Sequence, residues 1–178
     1  IDVGAATWAD GTTGITGPIT TANSLHGTTA TDFVGLNGVT ALTNGNYVVR
    51  SPGWNSGADN VGAATWGNGG SGTTGAVSAL NSLVGTTLDD AVSINGVTPL
   101  TNGNYVVNTP SWNNGATADV GAATWGNGLG GTVGTVSSAN SLIGTTTADQ
   151  VGLSWIALTN GNYVVRSPSW DNGAIANA

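Results

Sequence analysis

The sequence predicts an all-β protein of three tandem four-stranded antiparallel sheets, set like the blades of a β-propeller, with a three-sheet β-prism-like monomer as the alternative. Three observations predict it. Tyr47-Val48-Val49 returns as Tyr105-Val106-Val107 and Tyr163-Val164-Val165, a spacing of 58 residues that fills the chain three times over, and such self-similarity marks a repeat architecture. Charged residues are 6% of the 178 positions, with no Lys and no Glu, so the usual material of helix surfaces is missing. Short β-branched and aromatic runs alternate with Asn-Gly and Gly-rich turns, which is the punctuation of small antiparallel sheets.

We read residues 1–178 as a single repeat domain with units at 3–60, 61–119 and 120–178. Each unit opens on a strand, Val3–Trp8, Val61–Trp66 or Val120–Trp125, followed by a Gly- and Asn-rich turn at Asp10-Gly11 or Asn68-Gly69. A further strand is predicted through 17–21, 75–79 and 134–138. The shared stretch Asn23-Ser24-Leu25, Asn81-Ser82-Leu83 or Asn140-Ser141-Leu142 comes next. A hairpin then joins Val39–Thr43 to Tyr47–Arg50 through Asn44-Gly45, where a type I′ turn would use the positive φ that Asn and Gly tolerate. It recurs around Asn102-Gly103 and Asn160-Gly161. Unit three lacks one residue where unit one reads Leu36-Asn37-Gly38-Val39, and the deletion predicts a distorted hairpin around Trp155. Tyr47 and Val49 point one way and Val48 the other, so both faces of each sheet need cover that a single small unit cannot provide. Neighbouring units are the expected cover.

The formal net charge of −7 argues against nucleic acid, which is held by clustered Lys and Arg; here the only bases are Arg50 and Arg166. No apolar run approaches the roughly 18 residues needed to span a bilayer as a helix, so membrane insertion is not expected. The absence of cysteine removes disulfides and thiol chemistry together. The chain opens at Ile1 without an initiator Met or a leader pattern, as a processed or excised piece would. Its first and last blocks are complementary halves of one sheet, which predicts ring closure by self-association, with a homodimer completing a six-blade ring.

The inventory for catalysis is nearly empty. His26 is the only histidine, and its sister positions carry Val84 and Ile143, so it is read as structural, and no enzymatic activity, cofactor or metal site is expected. Asp89-Asp90 is read as a solvated loop. Asp32, Asp90 and Asp149 hold equivalent places, where a lone Asp caps a turn. The candidate ligand-binding residues are Trp54 with Asn55, Trp112 with Asn113, and Trp170 with Asp171, because an aromatic face beside amide or carboxylate groups suits a glycan. The competing reading is that these rings fill the gap between sheets, as Trp8, Trp66 and Trp125 are expected to do.

Asp32-Phe33-Val34-Gly35, the Asn-Gly hairpin, Asn46–Pro52, Gly57-Ala58 and Val61–Gly67 together resemble the FG-GAP blade of integrin-type β-propellers. The whole unit, most of all Leu-Thr-Asn-Gly-Asn-Tyr-Val-Val, is also similar to the tandem repeats of large exported bacterial adhesins of the filamentous-haemagglutinin type. The resemblance implies a secreted or cell-surface setting and no chemistry of its own. The hairpin turns carry no carboxylate, so the calcium of an FG-GAP turn is not expected here. The expected function is that of a structural or adhesive repeat module, or alternatively of a multivalent glycan-binding module with one weak site per repeat.

Overall fold

A computed structural model describes residues 2–173 and 175, and every regular element in them is a β-strand. In chain order these are β1 (Ala5–Thr7), β2 (Ser24–His26), β3 (Val39–Ala41), β4 (Tyr47–Ser51), β5 (Ala63–Gly67), β6 (Gly75–Ala76), β7 (Ser82–Val84), β8 (Val97–Pro99), β9 (Tyr105–Thr109), β10 (Ala122–Gly126), β11 (Gly134–Thr135), β12 (Ser141–Ile143), β13 (Ser154–Ala157) and β14 (Tyr163–Arg166). Each inner sheet draws its hairpin from one unit and its next two antiparallel strands from the following unit. One inner sheet runs β3-β4-β5-β7-β11, antiparallel except for the β7-β11 pair, and the other runs β8-β9-β10-β12, antiparallel throughout. Two smaller sheets, β1-β2-β6 and β13-β14, lie to either side of these and do not pair with one another. Among the described residues the expectation of three equal sheets thus becomes two complete sheets flanked by two partial ones.

Three local expectations need correction. The fourth antiparallel strand is Ser24–His26 and its equivalents β7 and β12, rather than the segments at 17–21, 75–79 and 134–138. Those segments reach back instead: β6 pairs in parallel with β2, and β11 with β7. They fasten a unit to its predecessor, and residues 17–21 form no strand. The hairpin turn is also longer than type I′. Leu42 N–H bonds to Asn46 O at 2.8 Å and Gly45 N–H to Leu42 O at 3.1 Å, and only Gly45, at φ 88°, is left-handed. That is a three-residue loop with a type I turn and a glycine bulge. Finally, the hairpin of unit three is not distorted: Trp155 faces Val165 and Ala157 faces Tyr163, matching Val39–Val49 and Ala41–Tyr47. The missing residue is absorbed in the turn before β13, where side-chain register is not at stake.

Alternation decides the packing. On β4 and its neighbours, Val49, Ala63 and Val84 face Leu25 and Ala6 of the first sheet. Val48, Ala64 and Leu83, on the opposite face, meet Tyr105, Val107 and Ala122 of the next sheet. The far face of that sheet presents Val106 and Ala123 to Tyr163 and Val165. Sheets therefore stack face to face, and each inner sheet is covered on both sides by sisters.

Candidate functional site

The turn after each hairpin brings together the residues singled out in the sequence. Asp32 Oδ2 accepts the backbone N–H groups of Thr28 and Thr29 at 2.7 and 2.8 Å. Its Oδ1 accepts the backbone N–H and the side-chain amide of Asn55, at 3.1 and 3.0 Å. Asp90 repeats the pattern with Thr86, Thr87 and both nitrogens of Asn113, at 2.8 to 2.9 Å. Each carboxylate thus bonds two turns 23 residues apart and is fully buried. Asp90 is accordingly not part of a solvated loop, although its neighbour Asp89 is exposed. The Asn amides are occupied at both ends, because Asn55 Oδ1 also accepts the Asn60 N–H and Asn113 Oδ1 that of Asp119, each at 2.9 Å.

Unit three keeps the carboxylate and changes its partner. Asp149 accepts N–H groups from Thr145, Thr146 and Asp171 at 2.7, 2.9 and 3.0 Å, and the Thr146 hydroxyl at 2.5 Å. Loss of solvent raises its pKa, but these four hydrogen bonds outweigh that and hold the carboxyl at about 2.

The tryptophans divide by position in the stack. Trp54 and Trp112 are 6% and 4% exposed, whereas Trp170 is 40% exposed. Trp54 O and Trp112 O accept the N–H of Gly62 and Gly121, so in both cases the opening strand of the following unit lies against the corner. His26 Nδ1 lies 2.9 Å from Gly27 O on the outer face of the first sheet.

A second set of contacts repeats between consecutive units. Trp8 Nε1 donates to Gly69 O, and Trp66 Nε1 to Gly128 O, both at 3.0 Å. Gly69 N–H bonds to Asn46 Oδ1 and Gly128 N–H to Asn104 Oδ1, again at 3.0 Å. The approach is close enough to require glycine, since a Cβ there would stand 1.8 Å from Gly45 O or 1.7 Å from Gly103 O.

Residues 1–36, 41–94, 99–153 and 157–178 match a family model described as a repeat of unknown function, DUF5650. The chain belongs to the DUF5650 family. No curated protein matches it. Within the DUF5650 repeat at 41–94, β4, β5 and β7 hydrogen-bond directly into one sheet, and the buried Asp90 closes its far end. The sequence exposed both halves of each Asp–Asn lock as repeated residues. Their pairing was not visible, because it depends on the unit's closing turn folding back onto an earlier one. The Trp-to-glycine bonds were equally hidden, although the one signal for them, glycine in every copy of the turn, was present.

Proposed function

We propose that this DUF5650 array is a structural or adhesive repeat module without catalytic activity, serving in a secreted or surface-exposed bacterial protein of the adhesin type. One observation carries the reading: in the first two units the recurrent polar and aromatic groups of the corner are used to join parts of the fold. Asp32 and Asp90 consume the amides of Asn55 and Asn113, and the rings of Trp54 and Trp112 lie under the following unit. A chain whose recurrent side chains are spent on cohesion is suited to bearing load and presenting surface. The FG-GAP-like order of Phe33-Val34-Gly35, the hairpin and Pro52 supports placing the sheets among propeller-type blades, and self-association into a closed ring belongs to the same reading.

The second reading, a glycan-binding module, draws on Trp170 beside Asp171, the one copy of the corner whose ring reaches solvent. Glycan-array screening of the wild type and of Trp170→Ala separates the two. The structural reading expects no glycan bound by either chain, together with a lowered melting temperature for Trp112→Ala. Specific binding that disappears in Trp170→Ala at unchanged melting temperature would establish the lectin reading instead.

A further inference from the structure

We propose that Asn114-Gly115 is a site of spontaneous covalent modification, at which the folded chain deamidates selectively through a succinimide. The backbone nitrogen of Gly115 gives up its proton and attacks Asn114 Cγ. A C–N bond forms there, the bond from Cγ to Nδ2 breaks, and Nδ2 leaves as ammonia. Water then opens the five-membered ring at either carbonyl. One opening leaves aspartate, and the other leaves isoaspartate, with the backbone routed through the side chain. Glycine after Asn favours the attack because it has no Cβ to crowd the nitrogen. The reacting groups belong to adjacent residues, so no encounter is required.

Between residues 37 and 161 the chain has eight Asn-Gly steps, and the fold treats seven of them alike. The N–H groups of Gly38, Gly45, Gly96, Gly103 and Gly161 each donate to a carbonyl oxygen three residues back, at 2.8 to 3.2 Å. Those of Gly69 and Gly128 donate to Asn46 Oδ1 and Asn104 Oδ1 at 3.0 Å. In six of these seven steps the Asn amide is held as well; Asn44 Nδ2, for example, donates to Gly128 O at 2.8 Å. A donated N–H keeps its proton and fixes its peptide plane, so the nitrogen turns toward the side chain only by giving up that bond.

Asn114-Gly115 differs on each count. Among the described residues, neither the Gly115 N–H nor the Asn114 side chain has a hydrogen-bond partner. Both residues are exposed, and nothing lies within 4 Å of a notional Cβ on Gly115, so water and base reach the nitrogen. Asn114 and Thr117 bond to each other's backbone at 3.0 and 3.1 Å, which closes the turn and leaves the reacting groups unheld. The openness belongs to the turn itself. The corresponding Ser56-Gly57, with two units after it, is also exposed, and Gly57 likewise has nothing within 4 Å. Ser56 has no amide to lose, so of these two turns only the second carries the reactive step. The product bears on the fold because Asn113, the preceding residue, is bonded to Asp90 through both of its nitrogens. Isoaspartate lengthens the backbone by one methylene beside that lock, and either product adds a negative charge.

The test incubates the folded chain at mildly alkaline pH and reads each Asn-Gly step by peptide mass spectrometry, where exchange of ammonia for water adds one mass unit. Asn114 is expected to be lost at least about tenfold faster than the Asn of any of the other seven steps, as a mixture of aspartate and isoaspartate. In urea, where the seven protecting bonds are gone, that lead should collapse. Asn114→Gln, whose longer side chain closes the imide ring far more slowly, should leave residues 113–125 unmodified. A folded chain in which Asn114 reacts no faster than the other seven overturns the proposal. A lead that survives intact in urea does so too, since it would come from neighbouring sequence and not from the fold. A mass gain that persists within 113–125 after Asn114→Gln would place the reaction at Asn113 and overturn it as well.

Discussion

At the scale of single residues, the buried carboxylates contribute more than their number suggests. Asp90 has four hydrogen bonds and no counter-ion within its lock, so Asp90→Ala removes the acceptor of all four at once. Bonds to charged groups are each worth about 1.5–3 kcal/mol and are not additive; we expect a loss of about 3 kcal/mol or more in urea denaturation. For Asp149 the sign of the pH dependence comes from its lowered pKa. The fold favours the ionised form, so its contribution is complete above the ordinary value of 3.8 and is lost as pH falls through about 2. The stability gap between wild type and Asp149→Ala should therefore narrow in acid over that interval. Asn108 presents the opposite case. It is fully buried and neither end of its amide meets a hydrogen-bond partner among the described residues, so Asn108→Leu should raise stability by about 1–2 kcal/mol, read as a higher denaturant midpoint. The aspartates were legible from sequence as turn caps. The isolation of Asn108 was not, because its sister positions hold Arg50 and Arg166 and only the stack shows that its own place is closed.

At the scale of elements, the hairpins were readable because Leu-Thr-Asn-Gly-Asn-Tyr fixes both the turn and the side-chain alternation of the strand that leaves it. The short segment at Gly75-Ala76 is different. Its local pattern says strand, and nothing local says whether the partner lies in its own unit or the one before. Parallel pairing with β2 needs a chain path that is set only when two units dock. The glycine turns belong to the same class of feature. Gly128→Ala places a methyl 1.7 Å from Gly103 O, which forces the turn off its seat; overpacking of this kind costs about 1–3 kcal/mol, measurable by thermal denaturation.

At the scale of the whole molecule, stability is a sum of units and the contacts between them. A fragment covering residues 61–119 alone holds β5 and β7 of one inner sheet and β8 and β9 of the next but lacks the strands that complete either, and we expect it to show no cooperative unfolding by circular dichroism. The chain of 178 residues should unfold in a single cooperative transition. The sequence by itself determined the β character, the three-fold repetition and the need of each sheet for cover on both faces, since these come from composition, period and side-chain alternation along one strand. Only the tertiary structure decided that a sheet is shared between consecutive units, that Asp32 and Asp90 tie distant turns together, and that Trp54 and Trp112 are roofed while Trp170 is open. Each of these depends on the neighbours a residue has in space, which similar local sequences do not fix.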